Sequence, residues 1–278
     1  MATASKRIKS LFIKHLTLCR AAETLIGIGE QAHAEGDVER LKYVGGALLR
    51  LSEGGLYSDA SAFYTALALN RSQASRAQAE AVFEGIASTG SPLYRAKALL
   101  ALGTNYISLR ADEKSAQAYY TDAERVNPDD SLVLFMARFQ RAVLASLAGA
   151  HRRALTEFEA LRPLAESAAR RHSFYGAAYG NSLAVVLVGV GSYSEAERLA
   201  RAAASSPYAR PEFQQTLGDI AARREANARR QRLAEEKRKG DLRREIQSLV
   251  IVPDPDLWTA AGLERVRDSA WVILAEGL

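Results

Sequence analysis

The chain is short of the residues that make cross-links, catalytic signatures and membrane spans. Cys19 is the single cysteine in 278 residues, which excludes an intrachain disulfide and fits a reducing compartment. Seven prolines and 19 glycines are too few for a fibrous or low-complexity chain. The four histidines, His15, His33, His151 and His172, are scattered, with no HExxH pair. There is no G-x4-G-K-[ST] phosphate loop, no GxGxxG after a strand and no G-x-S-x-G elbow; Gly189-Val190-Gly191 reads as a turn. The longest apolar run, Leu183 to Val190, is far below the roughly 20 residues that cross a bilayer. The start carries no continuous apolar stretch of the secretory type. These absences lead to the expectation of a cytoplasmic protein that is not an enzyme and needs no cofactor or metal.

Two weak chemical patterns have structural explanations. His15 and Cys19, four apart, would supply half a zinc site on a helix, but no further ligands suggest themselves. The carboxylate pairs Glu35/Asp37 and Asp129/Asp130 stand where helices begin, and the helix dipole favours negative charge there.

What the chain does contain is apolar surface in a regular order. Apolar residues make up 48% of it, enough for a folded core. The net charge of +5 is uneven. Residues 1–22 hold Lys6, Arg7, Lys9, Lys14 and Arg20 and no acid, and residues 221–247 hold ten Lys/Arg against five acids. The segment between them is nearly neutral, and the last 31 residues are acidic.

Leu41, Ala79, Ala116, Ala154 and Ala196 recur at intervals of 38, 37, 38 and 42 residues. Four positions on come Gly45, Phe83, Tyr120, Phe158 and Ala200, and three further on Leu48, Ile86, Ala123, Leu161 and Ala203. Offsets of four and seven share one helical face, so each set forms one apolar stripe. The stripes predict five helical hairpins, pairing 21–34 with 37–52, 57–70 with 73–88, 92–109 with 112–126, 130–148 with 151–168, and 172–190 with 193–206. Gly36 and Gly191 suit turns with positive φ, and Asp37 and Ser192 suit the helix starts that follow. Asn127-Pro128-Asp129-Asp130 and Ser91-Pro92 stop one helix and start the next.

The third unit spells Leu99-x2-Leu102-Gly103-x2-Tyr106, then Ala116-x3-Tyr120-x2-Ala123, then Pro128. This resembles the tetratricopeptide pattern W-x2-L-G-x2-Y…A-x3-F…P. The fifth unit, with Asn181-Ser182-Leu183-Ala184 and Gly191-x-Tyr193-x-Glu195-Ala196, and the first, with Leu25-x2-Ile28-Gly29, are similar to it in part. The period exceeds the family's 34 residues, which keeps HEAT-type units of roughly 40–47 residues as a rival. The resemblance implies an all-α fold: a right-handed α-solenoid of about five hairpins over 23–210, between a basic N-terminal helix (1–22) and a charged capping helix (211–252) with a helical tail (253–278).

Such solenoids bind partners on a concave face lined by the first helix of each hairpin. The expected function is therefore a scaffold or adaptor that holds a peptide or partner helix. By register, Lys97, Leu100, Thr104 and Ile107 should face the groove in the third unit, and Asn181 and Val185 in the fifth. Arg138 and Arg141 join them if the register of the fourth unit shifts. The clamp by which one family subclass grips a C-terminal carboxylate is not carried over, since only Lys97 and Asn181 match it, two repeats apart. The alternative is nucleic-acid or other polyanion binding by the basic helix 221–247, with Arg229, Arg230, Arg232, Lys237, Arg238 and Lys239 as candidates. No aromatic residue interleaves there to stack on bases. The N-terminal segment reads as a helix packing Ile8, Leu11, Phe12 and Leu16 under the hairpins, with an anionic membrane surface or a transit sequence as the other readings.

Overall fold

All five members of each stripe are buried. Leu41, Ala79, Ala116, Ala154 and Ala196 have no accessible surface, and Phe83, Tyr120 and Phe158 fill the layer beside them. The computed structural model describes the backbone of residues 2–52, 55 and 57–249 and the side chains of residues 15–52, 55 and 57–245. The chain divides into two units, Met1–Ala222 and Arg223–Leu278.

The described residues form eleven α-helices and no strand. They are α1 (Ala2–Glu35), α2 (Val38–Leu51), α3 (Ser58–Leu69), α4 (Arg76–Thr89, after a 3-10 turn at Gln73–Ser75), α5 (Pro92–Arg110), α6 (Glu113–Val126), α7 (Ser131–Leu147), α8 (His151–Arg171), α9 (Ser173–Gly189), α10 (Tyr193–Ala204) and α11 (Pro211–Leu249). From α1 to α10 each helix packs on the next. Most ends fall within a residue or two of those expected. The exceptions have physical causes. α1 continues unbroken through position 22, because nothing between Ala2 and Glu35 breaks a helix. α8 runs to Arg171 through Pro163, held on both sides by buried Phe158, Leu161, Ala165 and Ala168.

The turns work largely as their residues dictate. Gly36 and Gly191 adopt φ of 77° and 88°, the left-handed region that glycine enters at no steric cost. Asp37 accepts a hydrogen bond from Arg40 N at 2.9 Å, and Asp130 accepts from Leu132 N and Val133 N at 2.8 and 2.9 Å. Asp112 does the same for Ser115 N at 3.0 Å. Ser192 is the exception: its side chain makes no capping bond, and α10 starts without one.

Three apolar clusters follow one another along Met1–Ala222. Phe63, Tyr64, Phe83 and Leu102 centre the first, Ala116, Tyr120 and Val133 the second, and Phe135, Phe158 and Leu187 the third. Close backbone approach at Gly103 makes the second possible. A Cβ there would lie 2.5 Å from Tyr120 Cε1, so only glycine admits the buried tyrosine ring.

The odd-numbered helices make an inner row. α1 touches α3, α3 touches α5, α5 touches α7 and α7 touches α9. α9 then touches α1, so the row closes on itself. Arg210 secures the seam: its Nη2 donates to the Ala34 carbonyl at 3.1 Å.

α11 begins in the first unit, where Phe213 and Ile220 are buried. It runs through Gly240, a residue suited to ending a helix, and continues to Leu249. An interior glycine costs about 1 kcal/mol. Flanking ion pairs, Glu235 with Lys239 at 3.1 Å and Asp241 with Arg244 at 2.7 Å, offset part of that. From Arg223 to Glu245 nearly every side chain is exposed, Leu233 and Leu242 included. The expected helical tail (253–278) lies outside the described residues, as do the side chains of Ile8, Leu11 and Phe12. Leu16 is exposed.

Candidate functional site

Closure of the inner row leaves a chamber of about 770 Å³. Every odd-numbered helix from α1 to α9 contributes to its wall, with Arg71 and Arg76 flanking the 3-10 turn and Arg210 and Phe213 completing it. One side is aromatic. Phe135 and Phe139 stack with ring centroids 5.5 Å apart, and Tyr175 meets Phe135 edge-on at 6.1 Å. Phe63 and Tyr64 continue this surface on α3, also edge-on, at 5.6 Å.

The polar groups are of two kinds. Some are satisfied among themselves. Asn70 and Asn105 exchange amide hydrogen bonds at 2.9 and 3.1 Å, joining the end of α3 to α5. Lys97 Nζ lies 3.0 Å from Glu30 Oε1 and 5.3 Å from the centre of the Tyr94 ring, so its charge is matched. Others have no ionic partner. Among the described residues no carboxylate stands within 4 Å of Arg71, Arg76 or Arg210. Arg210 also lies over the Phe174 ring, 4.3 Å from its centre.

This cluster shapes its neighbours. Burial pushes His33 down to about 4, and Arg71, Arg210 and Lys97 add to the effect, so its imidazole is neutral at pH 7. Its Nδ1 is buried and meets no hydrogen-bond partner. Arg210 is itself lowered by burial and then by the charge of Arg71, with Glu212 opposing more weakly. Burial in the wall pushes Tyr175 up to about 12.

Of the residues expected to face the groove, Lys97, Leu100 and Thr104 line the chamber; Ile107, Arg138, Arg141, Asn181 and Val185 do not. Ile107 packs into the cluster shared by α5 and α6. Val185 is 42% exposed and away from the chamber wall. Arg138 and Arg141 both pair with Glu124 on α6, Arg141 at 3.3 Å, because on α7 it is Phe135, Met136, Phe139 and Gln140 that face inward. Asn181 Oδ1 is buried without a hydrogen-bond partner. His33, Arg71 and Arg210 were not anticipated. No local pattern marks them, since closure of the row is what brings them to one place.

The described Lys and Arg side chains of the basic stretch of α11 are exposed. Arg229 pairs with Glu225 at 3.6 Å and Lys239 with Glu235 at 3.1 Å, leaving Arg230, Arg232, Lys237 and Arg238 in water. His15 Nε2 lies 3.6 Å from Cys19 Sγ, and among the described residues no three His, Cys, Asp or Glu converge on a common point. No described helix is long and apolar enough to cross a membrane. Comparison with protein-family models and with characterised proteins returns no match to this chain.

Proposed function

We propose that this chain is a tetratricopeptide-like binding module, a right-handed solenoid of about five hairpins, that receives a short acidic peptide segment in the chamber of its inner helices. It acts as a scaffold or adaptor and performs no chemistry on what it holds. One observation carries the reading: a single chamber combines aromatic walls with three arginines that no carboxylate among the described residues matches. Apolar side chains of the segment pack on Phe135, Phe139 and Tyr175, and its acids meet Arg71, Arg76 and Arg210.

Size favours a short segment. The chamber lies within the usual range for ligand sites, about 300–1,000 Å³. An α-helix about 10 Å across would fill it in roughly two turns. Polyanion binding by α11 has less behind it, since part of its charge is paired within the helix and no aromatic side chain interleaves.

The test is selection of peptides from a displayed random library by the full chain, followed by affinity measurement on the enriched sequence. The reading predicts enrichment of acidic residues beside aromatic or aliphatic ones. It also predicts loss of binding in Thr104→Trp, which fills the chamber from a position already open to it. No enrichment, or equal binding by Thr104→Trp, would contradict it.

A further inference from the structure

The corner of the chamber where α1, the end of α3 and the segment before α11 meet has an excess of positive charge that its setting does not need. Arg71 follows the last turn of α3, His33 stands in the last turn of α1, and Arg210 reaches across from the start of α11. Cations at helix C-termini are favourable, and that accounts for one hydrogen bond, from Arg210 to the Ala34 carbonyl. A guanidinium carries five N–H donors, so most of Arg210 and all of the Arg71 fork remain available. Lys97, the neighbouring cation, is matched by Glu30. His33 adds a buried ring nitrogen with no partner.

We infer that this corner is a phosphoryl-binding subsite, in which Arg71 and Arg210 grip a phosphate-monoester dianion and His33 contributes a third contact, while the aromatic wall receives the group that carries the phosphate. The charge count selects the ligand. Two unmatched guanidiniums balance a group of charge about −1.5 to −2, whereas one carboxylate leaves half of that charge unmet. Arginine presents a planar fork suited to phosphate oxygens. The charged groups acting on His33 are Arg71, Lys97 and Arg210, all cations. A dianion placed between them offsets that positive field.

The inference rests on the chamber being a ligand site, as proposed above. The experiment is isothermal titration of the full chain with three probes: inorganic phosphate, phenyl phosphate and benzoate. Phenyl phosphate should bind about tenfold or more tightly than benzoate. Phosphate alone should bind more weakly than phenyl phosphate, because the aromatic wall holds the carrier; equal binding would overturn that contact. Arg71→Gln and Arg210→Gln should each weaken phenyl phosphate at least about tenfold. Arg152→Gln, exposed on α8, should leave it unchanged. Arg71→Gln lies outside the seam contact, so it remains informative if Arg210→Gln loosens the fold. No binding of either phosphate probe, benzoate as tight as phenyl phosphate, or unchanged affinity in Arg71→Gln would overturn the subsite. Failure here alongside chamber-dependent peptides from the library would leave the module reading standing; failure of both would remove both.

Discussion

Arg210 Nη2 donates to the Ala34 carbonyl at 3.1 Å across a sequence separation of 176 residues. This bond joins the end of α1 to the segment before α11 and so ties the first inner helix to the last part of the same unit. A charge-assisted bond at a half-exposed site contributes about 1–2 kcal/mol. Arg210→Ala should lower the unfolding free energy by about that amount. Amide exchange should quicken in residues 30–35 and stay unchanged in 113–126, measured by mass spectrometry on the native protein.

Gly103 and Tyr120 offer a sharper test of packing. The Cβ of Gly103→Ala would sit 2.5 Å from Tyr120 Cε1, and that ring is fully buried. Overpacking of this kind costs about 1–3 kcal/mol. Gly85, on the exposed face of α4, has nothing within 4 Å of a built Cβ. Gly85→Ala should therefore stabilise by about 0.5–1 kcal/mol. Urea titration of the two variants should move their midpoints in opposite directions.

His33 makes stability depend on pH. Its value falls from 6.5 in the unfolded chain to about 4 in the folded one. Between these values the unfolded chain binds the extra proton, so stability rises with pH across this window and is lost as pH drops from 6.5 towards 4. The full shift corresponds to about 3 kcal/mol. His33→Gln should flatten the denaturation free energy over pH 4–6.5 relative to wild type.

The exposed stretch of α11 should behave as surface. Arg229, Arg230 and Arg232 are exposed, and so is the one ion pair among them. Replacing all three by Ala should change the unfolding free energy by no more than about 0.5 kcal/mol.

The helices were legible because each carries local signals. The 4- and 7-residue offsets from Leu41, Ala79, Ala116, Ala154 and Ala196 mark one buried face per unit, and all fifteen positions are buried. Gly36, Asp37 and Asp130 mark ends through backbone and capping chemistry that acts within four residues. The chamber was legible only in part. Lys97, Leu100 and Thr104 were placed by counting along α5 from Gly103, where the register was clear. Counting failed on α7, because Arg138 and Arg141 are drawn outward to Glu124. Asp112 shows a short-range signal that was overlooked: it caps α6 through Ser115 N, and hydrogen bonds from the Ser115 side chain and then its backbone hold its carboxyl below the usual range. His33, Arg71 and Arg210 could not be joined from sequence, since their meeting depends on closure between α1 and α9.

The central claim is that the ligand sits in the chamber. The direct measurement is amide and side-chain chemical-shift mapping of the full chain, titrated with the peptide enriched from the library. The account predicts that the largest shifts fall on Lys97, Leu100, Thr104, Phe139 and Ser182, which line the chamber on three different helices. Shifts confined to residues 223–245 of α11, with the chamber residues unmoved, would contradict it.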